Sequence, residues 1–114
     1  MITVSITFAT ICFLNQCHPI LLGPDTPVGT YQLTQRITSQ PGYGGDVLQF
    51  KETKDAWYAV HRVWTLSPKQ RREERLKSPN PKDRVVTKGC INVDPKVYEQ
   101  LKSCCANDTI VITQ

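Results

Sequence analysis

Short apolar runs cut by turn residues follow one another along most of the chain. Ile2-Thr3-Val4-Ser5-Ile6 alternates apolar with polar positions, the period of a half-buried strand. Residues 9–14 and 18–22 predict two further strands about a turn at Asn15-Gln16. Residues 29–36 read as one strand after the turn Pro27-Val28-Gly29, followed by the loop Ser39-Gln40-Pro41-Gly42-Tyr43-Gly44-Gly45. Val47-Leu48-Gln49-Phe50, Trp57-Tyr58-Ala59-Val60-His61, Ile91-Asn92-Val93 and Thr109-Ile110-Val111-Ile112-Thr113 complete the strand set.

Helical signals occur in two places. Ser67-Pro68 offers an N-cap and a first-turn proline for a helix to about Lys77, which Ser78-Pro79-Asn80-Pro81 ends. Asp94-Pro95 opens the second, with Val97, Tyr98 and Leu101 on one face. The expected fold class is therefore mainly β, in mixed sheets or a sandwich, with two short helices. A chain of 114 residues buries roughly two-thirds of its unfolded surface, enough for one core. Residues 1–114 are thus read as a single domain carrying a basic helical insertion at about 63–86.

Charge changes the picture only in that insertion. From Arg62 to Arg84 there are eight Lys or Arg against Glu73, Glu74 and Asp83, a net +5 where the whole chain is +4. A solvated helix face is the plain account of such a run. Nucleic-acid binding gains no support, because no aromatic series for base stacking and no nucleic-acid motif accompanies it. Residues 1–24 carry no charge, but Thr3, Ser5, Thr7 and Thr10 interrupt them. They lack the basic start and small-residue cleavage site of a secretory signal, and are too short for a confident membrane span. They are read as part of the domain itself, with no integral membrane segment.

The chemistry concentrates in Thr87-Lys88-Gly89-Cys90-Ile91-Asn92. Gly89 lets the backbone bend and a carbonyl approach, Cys90 supplies sulfur, and the following strand would hold that sulfur rigidly. A thiol titrates near ~8.5 and needs a proton acceptor to react quickly at neutral pH. His61, at the end of its own strand, can serve if the two strands share a sheet. Cys17-His18, His61, Cys90 and Cys104-Cys105 lack the C-x-x-C or H-x-x-x-H spacing of a zinc site, so neither metal nor cofactor is expected. The remaining Cys12, Cys17, Cys104 and Cys105 permit two disulfides in an oxidising compartment, or four free thiols. Joining adjacent Cys104 and Cys105 would close a strained ring, which favours a bridge to the N-terminal hairpin.

Three segments together resemble the catalytic domain of bacterial L,D-transpeptidases, cysteine enzymes of peptidoglycan. Gly23-Pro24-Asp25-Thr26-Pro27-Val28-Gly29-Thr30-Tyr31 is similar to that family's G-x-x-TP-x-G-T-aromatic turn and strand. The strand ending at His61 and the box from Thr87 to Asn92 follow in the same order. Lys88 departs from the box, where the family usually has histidine; Arg62 follows His61, where a small residue is common; and the gap from His61 to Cys90 is longer than usual.

The resemblance implies Cys90 as nucleophile and His61 as base, with the Arg62 carbonyl orienting the imidazole. It also implies a thioester formed from a tetrapeptide stem, resolved by an amine (transpeptidase) or water (carboxypeptidase). Gly89, Thr87 and Asn92 would shape or brace the loop. Stem peptides carry several carboxylates, so Arg71, Arg72 and Arg75 could form a basic lid over them, with Tyr43 and Lys88 as further contacts. Peptidoglycan is the implied partner and the periplasm or exterior the implied location, by an export route the sequence does not show. The rival readings are an inactive wall-binding domain and an interaction domain that uses the basic insertion.

Overall fold

The computed structural model describes residues 1–114. In chain order its strands are β1 (Ile2–Ser5), β2 (Thr10–Phe13), β3 (Gln16–Pro19), β4 (Gly29–Gln32), β5 (Thr34–Ile37), β6 (Asp46–Glu52), β7 (Trp57–Arg62), β8 (Ile91–Val93) and β9 (Thr109–Thr113). Helix α1 (Arg72–Leu76) lies between β7 and β8, and α2 (Pro95–Cys105) between β8 and β9. One sheet has the order β3-β2-β1-β9-β4 and the other β5-β6-β7-β8. Both are mixed, because β1–β9 and β7–β8 are parallel and the other pairs antiparallel.

The period-2 pattern explains the core. Ile2 and Val4 of β1, Ile110 and Ile112 of β9, Leu48 and Phe50 of β6, and Ile91 and Val93 of β8 all enter one 17-residue cluster. Helix α2 adds Tyr98 and Leu101, both fully buried. Its start is capped as the sequence implies, the Asp94 carboxylate accepting from the Lys96 N–H at 2.8 Å. No helix is long and apolar enough to cross a membrane.

Four expectations are corrected. The first hairpin turns at Leu14-Asn15, both at positive φ (50° and 62°), which suits a two-residue turn matching the strands' twist. Its second strand is therefore Gln16–Pro19, and residues 20–22 leave it to run beside β8, Leu21 exchanging two 2.9 Å backbone bonds with Asn92. Residues 29–36 are two strands in different sheets. The chain crosses at Leu33, whose side chain is buried in the core cluster.

The expected helix from Ser67 to Lys77 is broken at Arg71, which sits at φ 53° between a 3₁₀ turn (Pro68–Gln70) and α1. Ser67 makes no capping bond. Leu76 is the only buried apolar side chain of residues 63–86, too little to support a longer helix. Finally, the cysteines pair Cys12–Cys17 and Cys104–Cys105 rather than bridging α2 to the hairpin. Cys12 and Cys17 face each other in the β2–β3 register, and the other two close on each other in the last turn of α2.

Candidate active site

Strands β7 and β8 are parallel, so the chain between them must cross over, which requires a dozen or more residues. The basic segment 63–86 lies in that crossover. The register pairs Val60 with Ile91, His61 with Asn92 and Arg62 with Val93. Since Val60, Ile91 and Val93 face the core, alternation puts His61, Cys90 and Asn92 together on the opposite face. Diagonal neighbours across paired strands lie roughly 7 Å apart, within the reach of an imidazole.

The loop before Cys90 is held by the Gly23–Thr26 turn, and mostly through backbone. The Val86 and Thr87 N–H groups donate to the Leu22 carbonyl at 2.9 and 3.0 Å, and the Asp25 N–H to the Lys88 carbonyl at 2.9 Å. The buried Thr26 hydroxyl donates to the Gly89 carbonyl at 2.9 Å while accepting from the Gly23 N–H at 3.1 Å. Thr87 Oγ1 donates to the Cys90 carbonyl at 2.7 Å. A Cβ on Gly23 would lie 1.9 Å from the Thr87 carbonyl oxygen, so the two segments touch only because that residue is glycine. Gly89 packs against Tyr58, whose ring a Cβ would meet at 2.6 Å. The Gly89 and Cys90 N–H groups donate to no protein acceptor.

His61 is 2% exposed, and its Nδ1 lies 2.7 Å from the Arg62 carbonyl oxygen. That contact places the proton on Nδ1 and makes Nε2 the basic nitrogen. Asn92 Nδ2 donates to the Nε2 lone pair across a long 3.4 Å contact. Burial pushes His61 down to about 4, against the pull of the Arg62 carbonyl and with help from the Arg72 charge. Burial pushes the Cys90 thiol up, opposed by the Ala59 N–H and the Arg72 charge. The two shifts keep the proton on sulfur and the imidazole neutral at rest. The thiol's contact is the Trp57 carbonyl at 3.9 Å, and no hydrogen bond joins it to His61.

Cys90 and His61 line the same cavity, of about 430 Å³, with Tyr43, Trp57, Tyr58, Trp64, Arg72, Thr87, Lys88 and Gly89. The Tyr43 ring meets His61 edge-on at 4.7 Å. Arg72 lies 4.9 Å over the Trp64 ring and donates to Asn92 Oδ1 at 2.9 Å, which also accepts from the Trp64 N–H at 3.1 Å. Of the three arginines expected over the site, only Arg72 reaches the cavity. Arg71 pairs with Glu74, and Arg75 braces the Asp83 and Val85 carbonyls; both border a separate surface groove. The left-handed turn at Arg71 accounts for the divergence of these neighbours.

The Arg62 side chain turns away from the cavity onto Asp46 and Glu99, each at 2.9 Å, and also donates to the Tyr43 carbonyl at 3.1 Å. Trp57 and Trp64 were not legible as site residues, although an aromatic at the head of a strand beside the histidine is a usable signal. No group of three or more His, Cys, Asp or Glu is arranged to hold a metal ion.

The sequence matches no protein-family model and no curated protein. The fold does match solved structures. An L,D-transpeptidase from Stackebrandtia nassauensis superposes with a TM-score of 0.62 at 12% identity, over 99% of this chain and 54% of that one. An L,D-transpeptidase from Mycobacterium smegmatis gives 0.60 at 17% identity, over 99% of this chain and 58% of that one. L,D-transpeptidase 1 of Mycobacterium tuberculosis gives 0.60 at 17%, over 100% and 61%. The chain thus has an L,D-transpeptidase-like fold and spans little more than half the length of these structures.

Proposed function

We propose that this chain is a cysteine-dependent acyltransferase acting on peptidoglycan stem peptides, an L,D-transpeptidase or, with water as acceptor, an L,D-carboxypeptidase. The observation that carries the reading is the convergence of Cys90 and His61 on one face of the β7–β8 pair, in the wall of one cavity. His61 accepts the Cys90 proton at Nε2 as sulfur attacks the carbonyl. This needs the thiol to turn from the Trp57 carbonyl and Nε2 to exchange its long contact with Asn92 Nδ2 for the thiol, and hydrogen bonds of this kind often close only with substrate in place.

The Gly89 and Cys90 N–H groups, unused inside the protein, receive the oxyanion, an effect worth ~3 kcal/mol per donor. Loss of the terminal amino acid leaves a thioester on Cys90. An amine then gives a cross-link or exchange product, and water gives the shortened stem. Thr87 and Asn92 hold the machinery in place, and Tyr43, Arg72 and Lys88 contact the substrate. Such a substrate places the working enzyme in the cell envelope or outside the cell.

The test is mass spectrometry of tetrapeptide muropeptides incubated with the protein beside a Cys90→Ala control. Loss of the terminal residue that depends on Cys90 is expected. A folded wild-type protein that leaves the peptides as the control does would refute the assignment.

A further inference from the structure

Arg72 enters the cavity as a charge with no counter-charge. Its Nε donates to Gln70 Oε1 at 2.7 Å and its Nη1 to Asn92 Oδ1 at 2.9 Å, both neutral acceptors. Trp64 supports one face of the guanidinium at 4.9 Å. No carboxylate pairs with it, whereas nearby Arg62 has two and Arg71 one. Asp55, on the cavity rim, forms no ion pair with it. Nη2 donates to nothing in the protein. A half-buried cation fixed at three points, with donors to spare, is a ready site for an anion, and a planar guanidinium suits a carboxylate.

We propose that Arg72 is the specificity-determining residue of this cavity, binding a carboxylate of the substrate beside the carbonyl that Cys90 attacks. The inference rests on the reading of Cys90 as the nucleophile. It accounts for the break at Arg71, which sends Arg72 inward while Arg71 turns out to Glu74. It also assigns the crossover a role: without residues 63–86 the cavity would lose Arg72 and Trp64 together.

A test independent of peptide turnover uses Cys90, the single free cysteine. Iodoacetate carries a carboxylate and iodoacetamide does not. With either, sulfur forms an S–C bond, iodide leaves, and the thiol proton passes to solvent. The ratio of the two rates, followed by intact mass, cancels any change in thiolate fraction and isolates the effect of the carboxylate. Arg72→Gln is expected to lower the iodoacetate-to-iodoacetamide ratio about tenfold at low salt, equivalent to ~1.4 kcal/mol. Arg72→Lys should keep most of it, and 0.5 M salt should erode it in the wild type. If Arg72→Gln does not fold, Arg72→Met, which retains the stem over Trp64, takes its place.

An unchanged ratio overturns the proposal, as does a drop caused by Lys88→Gln instead. Stem peptides amidated at the C-terminus or at the third side chain then identify the carboxylate, by which loss of turnover in the wild type is absent in Arg72→Gln. An Arg72-dependent ratio with no peptide turnover would sink the enzyme assignment and leave the anion site standing. Turnover with an Arg72-independent ratio would do the reverse.

Discussion

Lowering the pH from 8 to 5 should cost the fold about 2 kcal/mol through His61 alone. The imidazole is buried and held near 4, whereas in the unfolded chain it titrates at its ordinary 6.5. Between those values the unfolded state binds a proton that the folded state refuses, so protonation favours unfolding. The contribution is complete above about pH 6.5 and shrinks as the pH falls, by about 2 kcal/mol at pH 5 and about 3 kcal/mol below pH 4. Asp46, Glu99 and Asp108, whose folded-state values are also lowered, lose their contribution only near and below their ordinary 3.8 to 4.5. A window from pH 8 to 5 therefore isolates the histidine. Urea unfolding at pH 8, 7, 6 and 5 on the wild type and His61→Gln is the assay. The wild type should lose about 2 kcal/mol more than the variant, and equal losses would refute the buried neutral imidazole. The same value puts the acid limb of kcat/KM near pH 4 rather than 6.5, because protonation at Nε2 is what removes the base.

Three further outcomes follow from the contacts. Gly23→Ala should destabilise by at least about 1–3 kcal/mol, since a Cβ 1.9 Å from the Thr87 carbonyl forces the turn off the Cys90 loop, and Cys90 alkylation rates would report the displacement. Arg62→Met should cost about 2–3 kcal/mol in urea unfolding, because the buried Asp46 carboxylate keeps Tyr98, Gln35 and Lys102 but loses its 2.9 Å partner; Asp46→Asn in that background should recover part of the loss. Lys88→Ala should change stability by less than about 0.5 kcal/mol by the same assay, since Lys88 is exposed and the loop uses only its carbonyl.

Local chemistry was legible in the sequence where a residue acts within its own segment. The strand at β1 follows from alternation, those at β6, β7, β8 and β9 from short apolar runs between turn residues, and α2 from Asp94-Pro95 and its apolar face. The pair Cys90 and His61 was legible as types on strand ends, but their meeting depends on a parallel register between segments almost thirty residues apart. No spacing encodes that register. The strand break at Leu33 is hidden because no glycine or proline marks it. The split at Arg71 is hidden because arginine is an ordinary helix former, and only the scarcity of buried apolar side chains in the crossover argues against a long helix. Choosing Arg72 over Arg71 and Arg75 needed the direction of each side chain. The Asp46–Arg62–Glu99 group was missed because its members come from β6, β7 and α2 and meet only in the fold.

The two residue departures from the resembling motif, Lys88 and Arg62, fall where the structure uses backbone rather than side chain. Lys88 stands in place of histidine, yet position 88 contributes its carbonyl to the Asp25 N–H, a bond any residue can make. Arg62 follows the histidine, yet the atom that fixes the imidazole is the Arg62 carbonyl. Side-chain identity matters at few places around the loop: Gly23 and Gly89 for close approach, Thr26 and Thr87 for hydroxyls that tie carbonyls, and Asn92 for its hold on Trp64 and Arg72. A site held this way constrains a handful of positions and leaves most others free to drift. The crossover from β7 to β8 is tied to its surroundings by backbone only at its ends, through Val63 and residues 84–87, and between those ties it carries Arg72 into the cavity.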